Sequence, residues 1–454
     1  MQSPFPFGAF MVFGTLSIVL LVGVWLRARV VWLQKFLFPS CLIGGVIGLA
    51  VVSTGLVSLD VKQIESFAFH LFNISFISVG LTRADPSESH GPPRGGRLRG
   101  PLWMALIEGV TLPLQAVIGG LCVIGFGFFG QELFATFGFF APLGFTEGPG
   151  QALSIGKVWE GFGFRHAATI GLTFAAVGFF FAFFVGVPLA NWGLRRGLAR
   201  HGDGTLPAEV LTGIVGRGQS RETAGQMTMH SGNIDTLAFQ AALIGLVYVL
   251  TYGFVVGLGR FLPPDAGQIL WGFFFFFGMA IALGLRVLMA RLGIDHLIDP
   301  GIQRRITGWS VDYLIVATVM AIQVVVVWQY LLPITVMCLS SGVATTVVVV
   351  YLGRRLDDLA LERTLTIYGT CTGTVSSGLL LLRIVDPEFK TPVAIEIGLM
   401  NVLAVPIIVG SMVLVNAPVW WHWSVGLTCL VFAVLLVGCL ALIRVLKLWG
   451  TPKF

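Results

Sequence analysis

The 454-residue sequence is 56% hydrophobic and only 11% charged, with a mean hydropathy of +0.89, which excludes a water-soluble globular chain and predicts a polytopic membrane protein. Its formal net charge of +6 comes mostly from arginines in predicted loops, an arrangement that fits an anionic leaflet and argues against nucleic acid as a partner. The six cysteines, Cys41, Cys122, Cys338, Cys371, Cys429 and Cys439, mostly sit singly in apolar runs without metal-ligand spacing and read as packing residues.

At about 20 apolar residues per crossing, spans are expected near 7–26, 36–58, 65–82, 101–127 and 166–193. The first has no basic segment before its apolar run and reads as a spanning helix, not a cleaved signal. Further spans are expected near 236–260, 267–289, 309–330, 331–353 and 392–416, and a last one at 423–443. Two apolar stretches do not read as simple crossings. The first, 135–160, is split by Thr146, Glu147, Gly148, Pro149, Gly150 and Gln151, and the second, 364–386, by a glycine- and hydroxyl-rich run from 369 to 378. Glycine and proline deny these breaks a regular helix, and within a membrane such backbone survives only when buried in protein or lining a wet cavity.

Loop charges test the count. Rich clusters (Arg27, Arg29 and Lys35; Arg83, Arg94, Arg97 and Arg99; 195–221; 286–305; Arg354, Arg355 and Arg363; Arg444, Lys447 and Lys453) alternate with loops that carry only Lys62 and Arg260. The N-terminus is therefore expected outside and the C-terminus in the cytoplasm. Each half has an odd number of crossings, so the second half enters inverted and the two hairpins dip in from opposite faces. The expected fold is all-α: an inverted repeat of five transmembrane helices plus one re-entrant hairpin each, with an extra C-terminal helix. The first repeat covers 1–193 (hairpin 135–160), a cytoplasmic connector 194–235, the second repeat 236–416 (hairpin 364–386), and the extra helix lies in 417–454. The basic stretch 83–100 and the connector are assigned no catalysis.

Paired broken segments in corresponding places of two halves point to a transporter's binding site near the midplane. A half-helix starting after Pro149 turns unpaired N–H groups and a positive dipole end toward the first tip, which suits a carboxylate, with Thr146 as a possible cap. Thr146, Glu147, Gly148, Gly150, Gln151 and Ser154 are the substrate candidates there, joined by mid-span Asn73 and Asn401. Glu147 reads either as a contact for a cation or substrate amine, or as a carboxylate capping the helix. Thr370, Thr372, Gly373, Thr374, Ser376 and Ser377 form the sodium candidate, since hydroxyl and carbonyl oxygens suit that ion; close helix packing is the competing reading.

Arg383 and Lys157 are expected at opposite surfaces, Arg383 lying about 13 Å along a helix from Thr374. Glu108, Asp312 and Glu396 are expected a turn or two inside a cytoplasmic boundary, the latter two as weak cation candidates or partners of loop arginines. His70, His166, His230 and His422 show no ligand spacing.

The runs FLFPSCLIGGVIGL, HLFNISFISVGL, TEGPGQA, GVPLANWGLRRG and GTCTG together resemble the bacterial sodium/glutamate symporter family, over about 36 to 418. Where that family has Gly-Gly-His-Gly-Thr and Gly-His-Cys-Gly in its hairpins, this chain has 146–151 and Gly369-Thr370-Cys371-Thr372, and the span after Trp423 is additional. The resemblance implies a homodimer in the bacterial inner membrane, surrounded by lipid. It would work as a sodium-coupled symporter of glutamate, another amino acid or a related carboxylate, its hairpin domain sliding as an elevator. A 2-hydroxycarboxylate carrier of the same architecture would want an arginine near a tip. A channel or an intramembrane enzyme is disfavoured, since hairpins from both faces suit alternating access and no nucleophile–base or metal pair is evident.

Overall fold

Long apolar runs, punctuated by capping residues, fold into helices almost throughout. The computed structural model describes residues 7–57, 59–82, 98–201, 206–219, 221 and 223–453, the side chains of 264–266 apart, and every regular element among them is a helix. The principal ones are α1 (Gly8–Arg29), α2 (Ser40–Ser53), α3 (Val61–Leu81), α4 (Arg99–Phe128), α5 (Phe140–Phe145), α6 (Pro149–Gly161), α7 (Ala167–Arg195) and α8 (Thr236–Gly259). They continue as α9 (Phe274–Arg291), α10 (Pro300–Met320), α11 (Leu331–Gly353), α12 (Ala360–Thr372), α13 (Val375–Val385), α14 (Val393–Leu414) and α15 (Val425–Val445). Nine of the described helices, α1, α3, α4, α7, α8, α9, α11, α14 and α15, are long and apolar enough to cross a membrane.

Side-chain caps fix several starts. Asp60 accepts from the Lys62 N–H at the head of α3 (3.0 Å), and Asp235 from the Leu237 N–H at the head of α8 (2.8 Å). Asp299 accepts from the Ile302 N–H (2.6 Å), with Pro300 in the first turn of α10. That cap corrects the span expected at 309–330: the helix begins at Pro300, carries Arg304, Arg305 and Asp312, and ends at Met320 before a short helix, Val324–Gln329. The span expected at 36–58 is a helix of only 14 residues, and the one expected at 267–289 is divided at Phe273. Of the basic stretch 83–100, residues 83–97 lie outside the described part; Arg99 opens α4. Within the connector a short helix, Ala208–Thr212, is tied to α1 by Arg27, which donates to the Val210 carbonyl (2.9 Å).

Packing sorts the helices into two groups. In the first, α3 packs on α9 and α10, α2 lies between α1 and α10, and α8 packs on α9. In the second, α4 is a central post touched by α5, α11, α12, α14 and α15, while α7 supports both broken pairs, α5/α6 and α12/α13. The groups meet chiefly at α6, which contacts α3, α10 and the short helix Pro264–Gly272.

Small residues let α4 approach the turn before α5 backbone to backbone: a Cβ on Gly138 would run into the Gly119 carbonyl, and one on Gly119 into the Gly138 carbonyl. Gly138→Ala should therefore lower thermal stability in detergent by about 1–3 kcal/mol. Gly125→Ala, where an added Cβ meets nothing within 4 Å, serves as the matched control and should leave stability unchanged or slightly raised.

Candidate functional site

The two breaks end one helix and start another within a few residues. In the first, the Thr146 and Glu147 N–H groups both fold back onto the Pro142 carbonyl (3.1 Å each), Gly148 turns at φ +87°, and Pro149 restarts the helix as α6. In the second, α12 stops at Thr372, Gly373 leaves the helix, Thr374 is extended, and α13 begins at Val375. The breaks touch. A Cβ on Gly148 would sit 3.3 Å from Thr374 Cγ2 and 3.4 Å from the Gly373 carbonyl. Only glycine accommodates both that backbone angle and that approach.

A buried amide ties the breaks to α4. Gln115 Nε2 donates to the Cys371 carbonyl (3.1 Å), freed by the end of α12, and to Thr345 Oγ1 (3.0 Å). Its Oε1 accepts from Thr146 Oγ1 (2.8 Å), which also lies 3.3 Å from the Cys371 carbonyl. Thr146 is thus a strut between breaks and not the expected cap: the N-cap of α6 is Gly148, with no side-chain hydrogen bond, and α13 is likewise uncapped.

Beside the breaks, at the junction of the two helix groups, lies a cavity of about 460 Å³. One wall brings Glu108 from α4, Thr146, Glu147, Gly150 and Gln151 from the first break, Thr370, Thr374 and Ser376 from the second, and Asn401 from α14. The facing wall is apolar, with Phe72 and Phe76 of α3, Phe275 and Phe276 of α9, and Val311, Leu314 and Ile315 of α10. Phe72, Phe76 and Phe275 form a three-ring cluster with centroids 4.9 to 5.1 Å apart. None of the described lining residues is lysine, arginine or histidine.

Glu147 Oε2 accepts from Gln151 Nε2 (3.3 Å), whereas Glu147 Oε1, Glu108 Oε2 and Thr374 Oγ1 are buried without a hydrogen-bond partner among the described residues. Glu108 is 3% exposed, and its carboxyl and that of Glu147 are close enough to interact electrostatically. Unpaired oxygens of this kind are costly unless a cation, a proton or a donor joins them.

Some residues singled out from sequence lie elsewhere. Asn73 does not line the cavity; its amide donates to the Phe69 carbonyl of its own helix (2.7 Å). Thr372 donates back to the Tyr368 carbonyl (2.7 Å), and Thr372, Gly373 and Ser377 sit behind the lining. Ser154 faces a second cavity of about 580 Å³, shared with Lys62, Glu65, Lys157, Gln268 and Trp271, where Lys157 bonds Glu65 of α3 at 2.6 Å. Arg383 lies over the Phe389 ring at 4.8 Å. Glu396 is not a cation site: Arg363 of α12 grips it with two bonds of 2.7 and 2.8 Å. Asp312 is exposed and lines neither cavity. Glu108, expected near a boundary, belongs to the cavity, and Gln115 was not singled out at all.

No family model matches this chain, and neither a curated protein nor a solved structure matches it significantly.

Gly148→Ala should cost about 1–3 kcal/mol through backbone strain, measured as a loss of thermal stability of the purified chain. An unchanged melting temperature would mean that the break relaxes into an ordinary turn.

Proposed function

We propose that this chain is a sodium-coupled secondary transporter of an amino acid or a related small carboxylate. The observation that carries the reading is the contact between two helix breaks at the wall of one cavity that also buries two carboxyls. Unwound backbone and half-helix ends are the means by which transporters of this kind hold ions and solutes near the midplane. The first turns of α6 and α13, uncapped by side chains, suit a carboxylate. The unpartnered oxygens of Glu108 and Thr374 suit sodium, a hard cation that takes oxygen ligands.

The breaks then act as the tips of two re-entrant hairpins in an inverted repeat. The packing supports this symmetry: α1, α2 and α3 join one group and α4 to α7 the other, and in the second half α8, α9 and α10 divide from α11 to α14 in the same way. The group holding both breaks is the moving body of an elevator, and the other is its scaffold. Since α6 bridges them, the Lys157–Glu65 pair is a latch at one mouth of the path. The family resemblance adds the homodimer, the bacterial inner membrane, and an N-terminus outside with the C-terminus in the cytoplasm. A 2-hydroxycarboxylate substrate gains no support, since no arginine lines the cavity among the described residues. We assign no catalysis.

The test is uptake into proteoliposomes of labelled glutamate and labelled neutral amino acids, with and without an inward sodium gradient. Accumulation of at least one of them should need sodium, and Glu147→Gln should lower it about tenfold or more, as expected for loss of a charged contact. Uptake indifferent to sodium sinks the coupling, and ion conductance without accumulation replaces the transporter with a channel.

A further inference from the structure

The cavity's charge points to its solute. Two carboxyls, Glu108 and Glu147, face it with one oxygen each unpartnered, Glu108 is 3% exposed, and no lysine, arginine or histidine is among the described lining residues. Each of these oxygens calls for a cation or a hydrogen-bond donor, because a buried polar oxygen left unpartnered is strongly disfavoured, and an amine supplies both. Across the cavity stand Phe72, Phe76 and Phe275, whose ring faces attract cations and whose bulk favours an apolar body.

We propose that the transported solute carries a positively charged amine and an apolar, preferably aromatic, body, and no net negative charge. The amine pairs with Glu147 Oε1, which the Gln151 amide leaves free, and the apolar body lies on the three-ring cluster. Where the solute is a zwitterion, its carboxylate lies at the uncapped first turns of α6 and α13. Glutamate fits poorly: its second carboxylate would meet two carboxyls and, among the described lining residues, no lysine, arginine or histidine. This inference rests on the transport reading only in taking this cavity as the solute site.

Equilibrium binding to the purified full-length chain in sodium buffer tests it with four probes: L-phenylalanine, phenethylamine, 3-phenylpropionate and L-glutamate. The two apolar amines should bind at least about tenfold more tightly than the acid without an amine and than glutamate. Glu147→Gln should weaken phenethylamine by a similar factor, while Glu147→Asp retains part of the binding. Should the glutamine variant not fold, the wild-type ranking decides alone. Tighter binding of glutamate or 3-phenylpropionate overturns the inference, and so does failure of both amines to bind. Uptake of the bound probe is measured separately. If the amines bind as expected but no sodium gradient drives them into proteoliposomes, the assignment of the site stands and the transporter reading falls.

Discussion

Everything at the centre of this molecule depends on the Gln115 side chain. Interrupting α5/α6 and α12/α13 frees backbone groups that water cannot reach in a bilayer, and each unsatisfied group costs several kcal/mol, roughly, in hydrocarbon. Gln115 satisfies one of these groups, donating to the Cys371 carbonyl, and reaches the other break by accepting from the Thr146 hydroxyl. One amide on an unbroken helix therefore holds two broken ones in register. Gly148 completes the arrangement by allowing the first break to lie against Thr374 without a side chain between them.

The second constraint is charge. With the breaks fixed on one side, the cavity receives its acidic wall from α4 and the first break, and its aromatic wall from α3 and α9, which belong to the other helix group. A solute held there would touch both groups at once. Sliding one group against the other would then change the solute's surroundings as well as its position, which is how binding biases a two-state equilibrium. The buried Arg363–Glu396 clasp has a different role. It locks α12 to α14 within one group, and its two parallel bonds favour a rigid joint over a moving one.

The helical class and the two breaks were legible in the sequence, because hydropathy and runs of glycine, proline and hydroxyls are local signals. Thr146, Glu147, Gly150, Gln151, Thr370, Thr374, Ser376 and Asn401 do converge, and each came from such a run or from a polar residue at mid-span. Direction and depth were not legible. Asn73 lies at a suitable height on α3 but binds its own backbone, which periodicity does not reveal in a helix that is apolar on most sides. Nearness to a basic loop suggests a boundary position for Glu108, but α4 begins at Arg99, and nine residues of helix carry Glu108 about 13 Å from that start, to the cavity. The start of α10 was misplaced because hydropathy outweighed the Asp299–Pro300 cap. Gln115 had a signal, a lone amide in a long apolar helix, but its partner is a carbonyl whose release depends on where α12 ends.

The most direct test of the central claim, that the two breaks border one cavity reached in turn from each side, is thiol accessibility at the exposed Ser376. The Ser376→Cys chain, in membrane vesicles of known orientation, is treated with a membrane-impermeant thiol reagent, and the wild type with its six cysteines sets the background. Labelling above background from either face, in proportions that shift when sodium is added, is the predicted result. Labelling from one face alone, unaltered by sodium, would contradict the account.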